Sequence, residues 1–302
     1  MAAQNVPSEY HYDPVENIFT GCRTQLKGVL PHVMWHITDR CPLNCFFCFA
    51  PKSALTTPSA DIISIANKLQ KLGVQKVDIS GGEPLATKVF PETVEALATQ
   101  KIHITVTTSG VSGDANRDWL LKNIDKFSRI IISIDGPSPA EHDDLRAFNG
   151  AWERANQLIN RITTADKARA VRINTVVTRP FVFNNWLDRM TEMVEGLRVR
   201  EWCIIQPHPA NKKDHFDRYN VEDEHFDDVA MKVRAASMDC NVIVRRRDAY
   251  STYWSIQPNG SLRQHTDGAD DRNSIDFIRS PIDVLREHIR PTETIVPTGE
   301  EA

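Results

Sequence analysis

No stretch of the 302-residue chain approaches the roughly eighteen consecutive apolar side chains that a membrane-spanning helix needs. Residues 1–14 carry neither the basic start nor the apolar core of a secretory leader. An excess of one charge is also lacking: 36 Lys and Arg stand against 40 Asp and Glu, for a formal net charge of −4. That balance excludes the broad basic field with which proteins attract nucleic acid. These absences leave the expectation of a cytoplasmic protein with neither nucleic acid nor membrane as a partner. Cysteine is scarce, at six residues, yet three of them crowd into positions 41–48. The others, Cys22, Cys203 and Cys240, are scattered singly, which argues against a disulfide framework.

Residues 1–30 are polar and without clear period, and read as an N-terminal arm. From Val33 onward, short β-branched runs alternate with amphipathic stretches. The runs are 33–38, 76–80, 103–108, 129–135, 171–178 and 202–206; the helical patterns between them cover 60–73, 90–100, 112–127, 151–162 and 184–197. Repeated strand–helix alternation implies parallel strands with right-handed crossovers. Six such units fall short of the eight that close a barrel. The expected fold class is therefore α/β, a partial (β/α)6 TIM-like parallel barrel over 31–210 with a C-terminal extension over 211–302. In the extension a helix is expected over 222–236 and another over 281–289. Strands are expected near NVIVRR and YWSIQ, with a hairpin turn at 258–260.

The segment CPLNCFFC places Cys41, Cys45 and Cys48 just after the first strand of the barrel, where catalytic loops of such folds sit. Thiolates are the usual ligands of iron–sulfur clusters, and a compact loop can aim three sulfurs at three irons. No fourth cysteine lies nearby, so one iron would remain open to a small molecule. A zinc site, or three unrelated buried cysteines, are the competing readings. Zinc sites usually draw on two closely spaced pairs, which the scattered remaining cysteines do not supply.

The CxxxCxxC loop after the first strand resembles the signature of the radical S-adenosylmethionine (SAM) superfamily. That resemblance implies a [4Fe-4S] cluster held by Cys41, Cys45 and Cys48, with S-adenosyl-L-methionine chelated at the open iron. It also implies reductive cleavage of SAM and hydrogen abstraction from a substrate by the 5′-deoxyadenosyl radical. An electron donor such as flavodoxin or ferredoxin would be a partner. Phe47, otherwise a plain packing residue, matches an aromatic that lies near the adenine of SAM. SGGEP at 80–84 follows the second strand, and its glycines permit close backbone approach to a ligand. Gly81, Gly82, Glu83 and Pro84 match the segment that contacts the SAM amino group. TTSG at 107–110 is similar to the polar ribose and carboxylate contacts, with Thr108 and Ser109 in those places, although Ser109 stands where asparagine is common. Ser133 and Asp135 lie in SIDGP at the end of the fourth strand. By the same resemblance Ser133 faces the SAM carboxylate or ribose, whereas the plain reading of Asp135 is a cap of the following turn. Arg146 matches an arginine that pairs the SAM carboxylate, and Asn174 and Gln206 are carried over as contacts near the barrel mouth.

The substrate signal is thinner. His208, Lys212 and Lys213 follow the sixth strand, and Arg245, Arg246, Arg247 and Tyr250 lie near a later one. Together they suit an anion site at the barrel mouth, for a small, anionic or nucleotide-like molecule; solvated surface charge is the alternative. RRRDAYSTYWSIQPNGSL loosely resembles the corresponding part of viperin-like nucleotide dehydratases. Cys240, a lone thiol, is a candidate hydrogen donor to a carbon radical, against simple packing. Two other functions stay open: a peptide-modifying member of the same superfamily, and a non-catalytic iron–sulfur sensor or scaffold. A sensor has no need of GGEP, TTSG and SIDGP at successive strand ends.

Overall fold

A computed structural model of the chain describes residues 10–13, 18–21, 30–48, 50, 53–165, 170–208, 216–247, 252–266 and 274–289. The N-terminal region, expected as an irregular arm, contains an antiparallel pair, β1 (Tyr10–Asp13) and β2 (Ile18–Gly21), with Tyr10 opposite Gly21. These four-residue strands are too short for a two-residue period to stand out in the sequence.

The alternating region forms β3 (His32–Thr38), α1 (Ser59–Lys71), β4 (Lys76–Gly81), α2 (Phe90–Thr99), β5 (His103–Thr108), α3 (Asp114–Lys122), β6 (Phe127–Ser133), α4 (Pro139–Arg146) and α5 (Ala151–Thr164). It continues as β7 (Val171–Val176), α6 (Arg179–Phe183), α7 (Leu187–Leu197) and β8 (Glu201–Ile205). Beyond it lie α8 (Phe216–Tyr219), α9 (Asp223–Ala235), β9 (Asn241–Arg245), β10 (Thr252–Ile256), β11 (Ser261–Thr266), β12 (Ser274–Asp276) and α10 (Ile282–His288). Strands β3 to β9 run parallel in sequence order, so the expected open barrel gains a seventh parallel strand from the extension. The extension does not form a separate layer. Its β10 pairs in parallel with β3, and β11 and β12 continue that edge antiparallel.

Strand alternation sorts the two faces of the sheet. Trp35, Ile37, Val77, Ile79, Ile104, Val106, Ile130, Ile132, Ile173, Trp202 and Ile204 point to the helices and are essentially unexposed. The amphipathic α5 meets them with Ala155, Leu158, Ile159 and Ile162. Burying each such aliphatic side chain is worth about 1.5–3 kcal/mol before conformational entropy is subtracted. The inner, concave face is polar instead: it carries His36, Asp78, Thr105, Arg129, Ser133, Arg172, Asn174, Glu201 and Arg245. Among the described residues no helix is long and apolar enough to cross a membrane.

Candidate active site at the carboxyl end of the sheet

The cysteine loop leaves β3 at Thr38 and returns beside it. Asp39 N donates to Leu55 O (2.9 Å), Thr57 N donates to Ile37 O (2.9 Å), and Thr38 bridges Thr56. Ser53 Oγ donates to Asp39 Oδ2 (2.5 Å), closing the neck of the loop. Inside it, Cys48 N donates to Cys45 O (3.2 Å). Leu43, Cys45, Val111 and Ala151 form a small apolar cluster, against which Cys41, Cys48, Phe47 and Phe148 pack.

The loop is held to the next strand by a backbone contact that explains the paired glycines. Gly82 N donates to Thr38 O (2.6 Å) and Glu83 N donates to Arg40 O (2.8 Å). A Cβ on Gly81, whose φ is +135°, would sit 2.1 Å from Thr38 O, and one on Gly82 would sit 2.3 Å from Arg40 O. The expectation was glycines admitting a ligand; the neighbour that fills their side-chain space is the backbone entering the cysteine loop.

Glu83 also has a different occupation from the one its motif implied. Its carboxylate is 1% exposed and turned into the protein. It accepts from Thr108 Oγ1 (2.5 Å), Ser109 N (2.7 Å), Ser109 Oγ (2.5 Å) and Leu85 N (3.0 Å). Burial pushes this carboxyl up, and the donors from Ser109, Thr108 and Leu85 oppose the shift. The side chains of Glu83, Thr108 and Ser109 thus brace β4 against β5. Pro84 opens the short 3-10 turn that Glu83 caps.

Arg146 ends α4 and is almost fully buried. Its Nε donates to Asp135 Oδ2 (2.6 Å), and Nη2 of Arg146 pairs with the same carboxylate. Asp135, unexposed, also accepts from Val176 N (2.8 Å), so it joins β6 to β7 rather than capping only its own turn. The other side of the guanidinium faces the cysteines: Arg146 Nη1 lies 3.8 Å from Cys45 Sγ, and the guanidinium is stacked 5.4 Å from the Phe47 ring centroid. Arg146 O accepts from Asn44 N (3.2 Å). Burial lowers its pKa, but Asp135 together with Cys45 and Cys48 outweighs burial and drives it above the ordinary arginine range. The arginine expected to pair SAM therefore ties α4 and Asp135 to the cluster loop.

Ser133 and Asn174 are register partners at the carboxyl ends of β6 and β7. Asn174 Oδ1 is buried and has no hydrogen-bond partner. Cys203 is the register partner of Asn174 on β8 and is unexposed. Gln206 does not line the mouth. Its Nε2 donates to Asp223 Oδ1 (2.6 Å) and its Oε1 accepts from Arg247 N (3.0 Å), bracing β8, α9 and β9. Arg247 belongs to the same brace, donating to Val221 O (2.6 Å) and pairing with Asp223 (3.1 Å). Arg246 pairs with Asp227 on the surface. His208 is half-buried just beyond β8; Lys212, Lys213 and Tyr250 lie outside the described residues.

Cys240 is displaced from the role considered for it. It immediately precedes β9, so parallel strand order puts it at the amino end of the sheet, opposite the cysteine loop. There burial pushes its thiol up to about 11, and it packs against the main core. A feature not anticipated is Tyr219 of α8. Buried, it packs at 6.2 Å from Phe46 and 6.3 Å from Phe47, so the extension covers the cysteine loop with an aromatic side chain. The polar stretch around it gives no periodic signal that would have marked it.

The residues fit a cluster and SAM. Burial pushes the Cys41 thiol up to about 11, with Glu83, Cys45 and Cys48 adding to the rise; a group with iron's positive charge relieves such crowding of acids. Among the described residues no three His, Cys, Asp or Glu side chains converge tightly enough to hold one metal ion. The orphaned Asn174 Oδ1 is an acceptor awaiting a donor at the same end of the sheet.

Comparison with known proteins agrees. A nucleotide dehydratase dependent on S-adenosylmethionine, from Flammeovirga pacifica, is 23% identical over 80% of this chain and 85% of its own. The PqqA peptide cyclase of Rhizobium meliloti is 29% identical over 61% of this chain and 50% of its own. Across these and other curated relatives, the chain spans between 28% and 85% of their length. The crystal structure of Streptococcus suis SuiB bound to S-adenosylmethionine superposes with a TM-score of 0.67 at 16% identity, covering 86% of this chain and 66% of that one. The profile described as the Radical SAM superfamily matches residues 35–195, the segment that carries the cysteine loop and its supporting strands, and the chain belongs to that superfamily.

Proposed function

We propose that the protein is a radical SAM enzyme acting on a small, anionic, nucleotide-like substrate held over the concave face of the sheet. The observation that carries this reading is the charge on that face. Between β3 and β9 the inward positions present Lys76, Arg129, Arg172 and Arg245 but, as carboxylates, Asp78 and Glu201 alone. Glu201 is shared by Arg129 (2.9 Å) and Arg172 (2.8 Å), and Asp78 by Lys76 (3.2 Å) and His32 (2.7 Å). Burial depresses the Lys76 pKa; Asp78 opposes this, while Arg172 and Arg245 depress it further, so the basic groups crowd one another. These pairs lie toward the amino end of the sheet, level with Cys240, so a polyanion that relieves the crowding must reach down the concave face from the cysteine loop. The dehydratase relative, named for nucleotides and covered over most of both chains, supports the same substrate class.

In this reading Cys41, Cys45 and Cys48 hold the [4Fe-4S] cluster. The backbone of Gly81 and Gly82, with Ser133 and Asn174, holds SAM. The chemistry this pair supplies when bound is reductive cleavage of SAM and hydrogen abstraction from the substrate by a 5′-deoxyadenosyl radical. Arg146 keeps a positive charge beside Cys45 while Asp135 fixes its orientation. Glu83 keeps the β4 and β5 loops in register, and Phe46, Phe47 and Tyr219 exclude water from the loop. The protein's own work is thus binding, orientation and shielding.

The test is anaerobic. Protein reconstituted with iron and sulfide is mixed with dithionite and SAM, and 5′-deoxyadenosine is measured with each nucleoside triphosphate, the matching nucleosides and short peptides, with Cys45→Ala as control. Stimulation by a nucleoside triphosphate above its nucleoside supports the proposal. Stimulation by a peptide alone overturns it in favour of a peptide-modifying enzyme.

A further inference from the structure

A second polar wall lies on the inner face, formed by β10, β11 and the neighbouring edge of β3. On β10 and β11, Trp254, Ile256 and Leu262 point to the core, which turns Tyr253, Ser255, Gln257, Arg263 and His265 to the concave side. The parallel pairing of Ser255 with Met34 brings His36 of β3 alongside. The side chains are connected. Gln257 Nε2 donates to Ser255 Oγ (2.7 Å), Ser255 Oγ lies 2.7 Å from His265 Nε2, and the His265 ring stacks on Tyr253 at 4.3 Å with an interplanar angle of 11°. His36 is 6% exposed and its Nδ1 forms no well-made hydrogen bond. It stands one inward position below Thr38, the residue bonded to Gly82 under the cysteine loop.

The chemistry of this wall differs from that of β6–β9. It has no carboxylate among Tyr253, Ser255, Gln257, Arg263, His265 and His36, and beside the one guanidinium of Arg263 its groups are hydroxyl, amide, phenol and imidazole. Such a set offers donors and acceptors side by side together with a flat stacked pair. Burying a polar atom such as His36 Nδ1 without a partner is costly, and a bound molecule can remove that cost.

We propose that the His36–Gln257–Ser255–His265–Tyr253 wall is the site for the neutral heterocyclic part of the substrate, a nucleobase, while its anionic part is held by the basic residues of the opposite wall. This rests on the anionic, nucleotide-like reading above and deepens it. The concave face is then divided: one side reads charge, the other reads the ring.

The test separates the two halves. Equilibrium dialysis of the reconstituted full-length protein is done with ATP, GTP, CTP, UTP and inorganic tripolyphosphate, for wild type, Ser255→Ala and His265→Ala. The expected result is one nucleotide bound about tenfold or more tightly than tripolyphosphate, an advantage lost in both variants while tripolyphosphate binding is unchanged. If tripolyphosphate binds as well as every nucleotide, or if both variants keep the full nucleotide preference, the wall is overturned and the anionic reading survives. If neither nucleotide nor tripolyphosphate binds, both readings fall. A loss of both ligands together in the variants assigns the wall a structural role and overturns the proposal.

Discussion

Arg146 Nη1 lies 3.8 Å from Cys45 Sγ while Arg146 Nε donates to Asp135 at 2.6 Å, so one buried guanidinium connects a cluster ligand to a carboxylate shared by β6 and β7. Removing one member of a buried ion pair leaves the other uncompensated, at a cost of about 3–5 kcal/mol. Arg146→Met should lower the denaturant midpoint of the apoprotein by a corresponding amount and reduce iron retained after reconstitution. Asp135→Asn combined with Arg146→Met should recover part of the lost stability. Equal midpoints for wild type and Arg146→Met would show that the pair contributes nothing.

His36 gives a pH signature. Burial lowers its pKa from 6.5 to about 4, with His265 adding to the fall and Gln257 opposing it. The folded state therefore binds fewer protons than the unfolded state between those values, and stability falls as pH drops from 6.5 towards 4. The effect amounts to roughly 3–4 kcal/mol at most, at 1.36 kcal/mol per unit. His36→Gln should flatten the stability curve in that window, as read by urea unfolding at half-unit steps of pH. An unchanged slope would mean that His36 does not titrate as a buried group.

Gly82→Ala tests the backbone contact between loops. Its Cβ would meet Arg40 O at 2.3 Å, a neighbour that cannot rotate away. A cost of about 1–3 kcal/mol is expected from such overpacking, with loss of the cluster's visible absorbance on reconstitution. Gly196→Ala, in a helix with nothing within 4 Å of the added carbon, serves as the control and should leave stability unchanged or raise it by up to about 1 kcal/mol.

Tyr219 covers Phe46 and Phe47, and an apolar shell limits solvent access to a metal centre. Tyr219→Ala should bleach the reconstituted cluster several-fold faster in air, while Tyr219→Phe should keep nearly the native rate. Equal bleaching in all three proteins would remove the shielding role.

The strands β3 to β8 and the helices α1, α2, α3, α5 and α7 were legible because their inner and outer faces obey simple periods. The cysteine loop was legible because its spacing is local. What escaped depends on partners far away in sequence. Helix α4 buries His142, Leu145 and Arg146, and two of those three are polar, so no apolar stripe announces it. Glu83 is turned inward by donors that lie 25 and 26 residues later. Gln206 and Arg247 look like mouth residues in sequence, yet Asp223 draws both into a brace. The attachment of β10 to β3 follows from no local pattern, and it decides which side chains face His36.

That attachment also sets an order in time. As the chain leaves the ribosome, β3 can gain β4 soon after it appears, but its other neighbour is encoded more than two hundred residues later, near Ser255 and Ile256. Until that segment emerges, the strand that launches the cysteine loop has one side of unpaired amides and carbonyls, a template for pairing with other chains. Synthesis must therefore pass Ile256 before this strand is sealed, and iron delivered earlier would meet a loop whose supporting strand is still half open.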